Sequence, residues 1–141
     1  MLHLFRELDW KDKKLDKKLY ELIADGFVLI DKCALLRNFY EHQKHVKRHD
    51  FQDDIGYECF INSLHVDDYI ENDFMVQGIL FMDEIFKIWN EKKSSEILKC
   101  IISKTDFGAN IKFHLVRPNA VWIQEAEAEK FDEPILISDS D

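Results

Sequence analysis

The sequence predicts an α+β fold, with N-terminal helices and a further helix packed on an antiparallel sheet. Three observations carry this expectation. Apolar residues recur at helical spacing near the N terminus and again over residues 74–92. The period shortens towards two near residues 58–68 and again at 111–116. Between the strands expected at Ile97 to Ser103 and Ile111 to Val116 lies only a short loop, and a short loop joins antiparallel neighbours.

The first helix is expected over residues 9–25. Trp10, Leu15, Leu19, Leu22 and Ile23 form its stripe, with lysines between them facing water. Asp9 suits its N-cap and Gly26 its stop. A second helix is expected from Phe27 to Lys47 on the stripe Leu29, Cys33, Leu36 and Tyr40. Its opening Phe27-Val28-Leu29-Ile30 also reads as a short strand. Lys44, Lys47 and Arg48 would suit the helix dipole at its end. From Glu58 to Asp68, Phe60, Leu64 and Val66 share one parity and Ser63 and His65 oppose them, so a half-buried, bulged strand is expected. The stripe of Val76, Ile79, Leu80, Ile85, Ile88 and Trp89 gives a long, well-buried helix, with Asp73 as its cap.

Strands follow at Ile97 to Ser103 and Ile111 to Val116. Asp106-Phe107-Gly108-Ala109-Asn110 is the hairpin loop between them, with Gly108 expected at positive φ. Arg117-Pro118-Asn119 breaks the pattern, and Val121-Trp122-Ile123 and Ile135-Leu136-Ile137 read as further short strands. No repeat and no Pro/Gly/Ser-rich linker divides the 141 residues, so one domain, 1–141, is expected.

Composition narrows the function classes. Eleven Phe and three Trp make too apolar a chain for disorder, despite a net charge of −9. Met1 to Lys14 hold no apolar stretch of signal-peptide type, and the longest apolar runs are short, as in Ile79-Leu80-Phe81-Met82. Cys33, Cys59 and Cys100 are dispersed and odd in number, as expected of reduced, buried thiols in a cytoplasmic protein. Charge is unevenly distributed: residues 49–91 carry eleven acidic side chains and one basic, and residues 118–141 carry seven and one. Such acidic blocks repel nucleic acid and anionic membrane and steer basic partners, so neither nucleic acid nor membrane is an expected partner.

His42, His45 and His49 stand three and four apart, a spacing that zinc ligands on one helix face share. Lys44, Lys47 and Arg48 around them oppose a cation, so they read as solvated histidines and no metal is expected there. His65 and Asp67, two apart on the expected strand, share a side and with Asp68 offer an acid–base cluster. No nucleophile motif or Gly-rich phosphate loop accompanies them, and Glu91-Lys92-Lys93 falls at a helix end. No catalytic residue and no cofactor are expected.

The block Asp67-Asp68-Tyr69-Ile70-Glu71-Asn72-Asp73 sets four carboxylates around an aromatic and an aliphatic side chain. Interfaces pair aromatic anchors with steering charges in this way, and a solvated charged turn has the same composition. Asp67, Asp68, Tyr69, Glu71 and Asp73 are the candidate partner-binding residues. Glu125, Glu127 and Glu129, aligned on one face of an extended chain, form a second candidate or a charge-guarded edge.

These features resemble the small acidic immunity proteins of bacterial toxin systems, including contact-dependent growth inhibition. The stretch Gly56-Tyr57-Glu58-Cys59-Phe60-Ile61-Asn62-Ser63-Leu64-His65-Val66-Asp67-Asp68-Tyr69 carries most of the resemblance. Phe113-His114-Leu115-Val116-Arg117-Pro118-Asn119 and Phe131-Asp132-Glu133-Pro134 share its character. The resemblance transfers no residue role position by position. It implies a cytoplasmic protein that binds a cognate toxin domain and blocks its active site. Many such toxins are basic nucleases, which an acidic inhibitor suits. The expected function is therefore that of a toxin-neutralising binding protein. The alternatives are a metal-dependent hydrolase or nuclease using His65, Asp67 and Asp68, and a structural adaptor in a larger complex.

Overall fold

The computed structural model describes residues 13–118 and 135–140. Its helices and antiparallel sheets make the α+β fold that the sequence predicts. Helix α1 spans Lys17–Ile23, shorter than expected, and is capped by Asp16, whose side chain accepts the Lys18 N–H at 2.8 Å. Asp9, the expected cap, lies outside the described residues. Leu19 and Ile23 enter the core, and Gly26 at φ 72 ends the segment in the left-handed region that a side chain would disfavour.

The expected helix over Phe27 to Lys47 is replaced at its start by a hairpin, in which Phe27–Ile30 is the short strand that the sequence also allowed. Strands β1 (Phe27–Ile30) and β2 (Cys33–Leu36) pair antiparallel through a two-residue turn. Asp31 and Lys32 both take positive φ there, at 51° and 68°, which is the turn twist that matches a two-residue hairpin. The apolar run of β2 is buried throughout, so its spacing mimicked a helical stripe. Only α2, Arg37–Glu41, is helical in this stretch, and a 3₁₀ turn follows at Arg48–Asp50.

A second correction falls on residues 55–70. Asp54–Ile61 form helix α3, capped by Asp53, whose side chain accepts the Gly56 N–H at 2.7 Å. Ile55, Tyr57, Glu58, Cys59 and Ile61 are all buried. A helix covered on most sides has no clean amphipathic period, which is why its pattern reads as a strand. The true strand, β3, is only Ser63–His65, followed by a 3₁₀ turn at Val66–Asp68.

Helix α4, Phe74–Glu91, lies where the sequence places it. Asp73 is at its N-cap position with φ 56, but its side chain makes no capping bond. Strands β4 (Leu98–Lys104) and β5 (Ala109–Leu115) form the expected hairpin, and β6 (Ile135–Asp139) adds to β4. The sheet order is β3-β5-β4-β6, all antiparallel. Helix α4 packs at Gly78 against Ile102 and Ile111 on the sheet, and Phe81 meets Phe113 with ring centroids 6.0 Å apart. Phe27 of the small hairpin meets Trp89 edge-on at 5.1 Å, joining the two sheets to one core. The expected strand at Val121 to Ile123 lies outside the described residues.

Strand β3 pairs only with Asn110, Ile111 and Lys112, leaving the rest of that β5 edge to be satisfied otherwise. Two polar side chains of the α3 region do this. Fully buried Glu58 accepts the N–H groups of Ala34 (2.7 Å) and Leu115 (3.2 Å). Asn62 accepts the Leu36 N–H (2.9 Å) and donates to the carbonyls of Ala34 (2.8 Å) and Phe113 (3.3 Å). The edges of β2 and β5 are thus joined through side chains instead of a ladder. Arg117 Nη1 donates to Glu58, and Arg48 pairs with Asp54 on the same helix. Burial pushes the Glu58 carboxyl above its ordinary range, against the opposing pull of Arg117 and the two N–H groups.

Cys33, Cys59 and Cys100 are free and buried, as expected. Burial pushes the Cys33 and Cys59 thiols up to about 12 and raises that of Cys100 well above its ordinary value. No helix among the described residues is long and apolar enough to cross a membrane.

Candidate interaction surface

The acidic segment is positioned from both ends. Register with β5 fixes β3, and buried Val66 then anchors the 3₁₀ turn, its carbonyl accepting the N–H groups of Tyr69 (3.0 Å) and Ile70 (3.2 Å). At the other end the Asp73 carbonyl accepts the Gln77 N–H at 2.9 Å as α4 begins. Gln77 also holds the N-terminal segment, accepting from the Asp16 N–H (2.7 Å) and donating to the Lys14 carbonyl (3.0 Å). Ile70 packs against the core between these anchors.

Asp68, Tyr69, Glu71 and Asp73 are exposed, as a partner-binding surface requires. Asp67 is not: it is half-buried against the β4–β5 turn, and its Oδ1 has no hydrogen-bond partner among the described residues. A Cβ on Gly108 would stand 2.5 Å from that oxygen. The small residue in the turn is therefore required by Asp67, and the expected positive φ at Gly108 is absent. Asp67 shapes the ridge from beneath, and the exposed charges are those of the other three carboxylates.

Recesses flank the ridge. One, of about 380 Å³, lies between Asp16, Lys18 and the segment Tyr69 to Asp73. Another, of about 440 Å³, runs beside Phe39, His42, His65, Asp68 and Tyr69. A third, of about 340 Å³, separates the start of α4 at Asp73–Val76 from the turn Lys104–Gly108. At the tip of that turn Phe107 is 82 % exposed, the most exposed large apolar side chain among the described residues. Thr105 organises the turn: its hydroxyl accepts from the N–H groups of Phe107 (3.3 Å) and Gly108 (3.0 Å). Phe107 is not among the expected partner-binding residues, although an aromatic residue inside a hairpin turn marks it in the sequence.

The other sequence-level clusters are dispersed. Helix α2 ends at Glu41, so His42, His45 and His49 occupy a cap, a turn and a 3₁₀ segment and share no helix face. His65 closes β3 whereas Asp67 belongs to the next turn, so the common strand side expected for the pair is not formed. Glu91-Lys92-Lys93 ends α4, as expected, with the Lys92 ammonium 5.8 Å from the Trp89 ring centre. A cleft of about 640 Å³ opens beyond it over Trp89 and Leu115, where Arg117 is already committed to Glu58 and Asp54. Glu125, Glu127 and Glu129 lie outside the described residues.

A family model described as the Uncharacterized protein PM0498 family matches residues 1–141. The Uncharacterized protein PM0498 of Pasteurella multocida (strain Pm70) is 30% identical over 124 residues, covering 79% of this chain and 77% of that protein. No solved structure matches the chain.

Proposed function

We propose that this chain, which belongs to the Uncharacterized protein PM0498 family, is a binding protein of the immunity type that neutralises a basic toxin domain in the cytoplasm. The observation that carries the reading is the ridge formed by Asp68, Tyr69, Glu71 and Asp73. Its carboxylates are exposed around an aromatic residue, and recesses lie on its flanks. Exposed charge of one sign accelerates encounter with a partner of the other sign, and an aromatic side chain seated at the contact slows separation. A basic nuclease domain offers such a partner, and capping its cationic active-site face would exclude its substrate. The net charge of −9 supports this polarity.

The direct test pairs the purified chain with a basic toxin domain encoded by a neighbouring gene, whose presence the reading requires. Stoichiometric binding that abolishes the toxin's activity is the expected result. A folded chain that neither binds nor inhibits that domain, at low salt and micromolar concentration, would remove the reading.

A further inference from the structure

We propose that the recess between the β4–β5 turn and the start of α4 is the apolar half of this binding surface. It takes an aliphatic side chain that a partner protein presents between lysine or arginine residues. The inference rests on the binding reading above and names the chemistry that the contact selects.

Phe107 forms one wall and stands 82 % exposed, while half-buried Phe74 lies on the other side with the helix residues Met75 and Val76. An aromatic ring held this far into water gains from being covered, and Thr105 holds the backbone of the turn beneath it. The occupant's charge follows from the rim. Asp73 and Asp106 line the recess, against a single lysine, Lys104. Asp73 also belongs to the exposed ridge, so the recess and the ridge form one continuous face. A purely apolar partner would leave these carboxylates facing uncharged surface, and an acidic partner would be repelled. A segment with cations on either side of an aliphatic residue satisfies both the wall and the rim.

Four peptides, Lys-Lys-X-Lys-Lys with X as leucine, serine or norleucine and Glu-Glu-Leu-Glu-Glu, test this by titration into the isotope-labelled full chain at low salt. With X as leucine, amide shifts are expected at residues 104–108 and 74–76, together with the ridge. The leucine peptide should bind roughly tenfold more tightly than the serine peptide, the scale set by covering one such side chain. The norleucine peptide should match leucine, because the recess selects apolar volume over branching. Phe107→Ser should bring the leucine and serine peptides to within about twofold of each other without moving shifts elsewhere, since exposed substitutions leave the fold intact. Equal binding of the leucine and serine peptides at the ridge would overturn the apolar recess and leave the acidic binding surface standing. Leucine-dependent shifts that map away from residues 104–108 would overturn it too, as would equal binding of the glutamate peptide. No shifts from any lysine peptide would overturn both this inference and the reading it rests on.

Discussion

Glu58 and Asn62 stand four residues apart at the end of α3, and between them they accept the N–H groups of Ala34 and Leu36 on the open edge of β2. The same two side chains reach Leu115 and Phe113 on β5, so a pair of polar residues inside the core holds the small hairpin to the main sheet. A buried acceptor that serves several donors is costly to remove, because each donor is then left without a partner.

Glu58→Ala should therefore destabilise the protein by about 3 kcal/mol or more, the scale of breaking a buried ion pair from one side. Asn62→Ala should cost about 2 kcal/mol by leaving backbone groups unsatisfied. Urea unfolding followed by tryptophan fluorescence measures both. A loss below about 1 kcal/mol for Glu58→Ala would mean that the network does not hold the hairpin in place.

His114 gives a pH dependence of definite sign. It is 1 % exposed, its Nδ1 lies 2.8 Å from the Leu115 carbonyl, and its Nε2 has no partner among the described residues. Burial lowers its pKa from 6.5; the Leu115 carbonyl and Asp139 oppose the shift, and Lys99 and Arg117 add to it. Burial in the folded state favours the neutral ring, so its contribution is present above pH 6.5 and is lost as pH falls through the lower folded value. Glu58, raised from 4.5, acts in the opposite sense: its contribution is full below pH 4.5 and is lost as pH rises through the folded value. The stability of His114→Phe should consequently fall less than that of the parent between pH 6.5 and pH 5, a comparison that urea midpoints make directly.

Gly108→Ala should destabilise the β4–β5 turn by about 1–3 kcal/mol, as overpacking does. The new methyl would stand 2.5 Å from Asp67 Oδ1 and 2.6 Å from Asp67 Cβ. Because the Cβ remains, adding Asp67→Ala should restore only part of the loss. Full stability of the single variant in thermal unfolding would show that Asp67 moves aside at no cost.

The thiols should be silent in the folded state. Three buried, free cysteines with raised pKa values react slowly with a disulfide reagent at pH 8, and all three titrate once the chain is denatured. Rapid labelling of the native protein would contradict the burial of at least one of them.

On the ridge, Asp68→Lys with Glu71→Lys should slow association with the proposed basic partner and flatten its salt dependence. Tyr69→Ala should chiefly accelerate dissociation, at a cost of about 2 kcal/mol if the ring is buried in the contact. Surface-plasmon kinetics at two ionic strengths separate these effects, and unchanged rates for both variants would move the interface elsewhere.

The sequence by itself determined the elements whose periodicity comes from one apolar face. Val76, Ile79, Ile85 and Trp89 marked α4, and Ile111, Phe113 and Leu115 marked β5, because each has a wet side and a dry side. It also determined the exposed acidic character of Asp68, Glu71 and Asp73. Tertiary structure alone decided the rest. Strand β2 is buried on every residue and α3 on most, so neither kept a period to read. Glu58 and Asn62 look like surface residues in the chain and become core residues only because two distant strand edges need their hydrogen bonds. Asp67 was grouped with its acidic neighbours, yet contact with Gly108, forty-one positions later in the chain, turns it inward. The β4–β5 turn likewise comes to lie beside the start of α4, with Phe107 at its tip. Such contacts depend on where the chain returns in space, which local spacing does not encode.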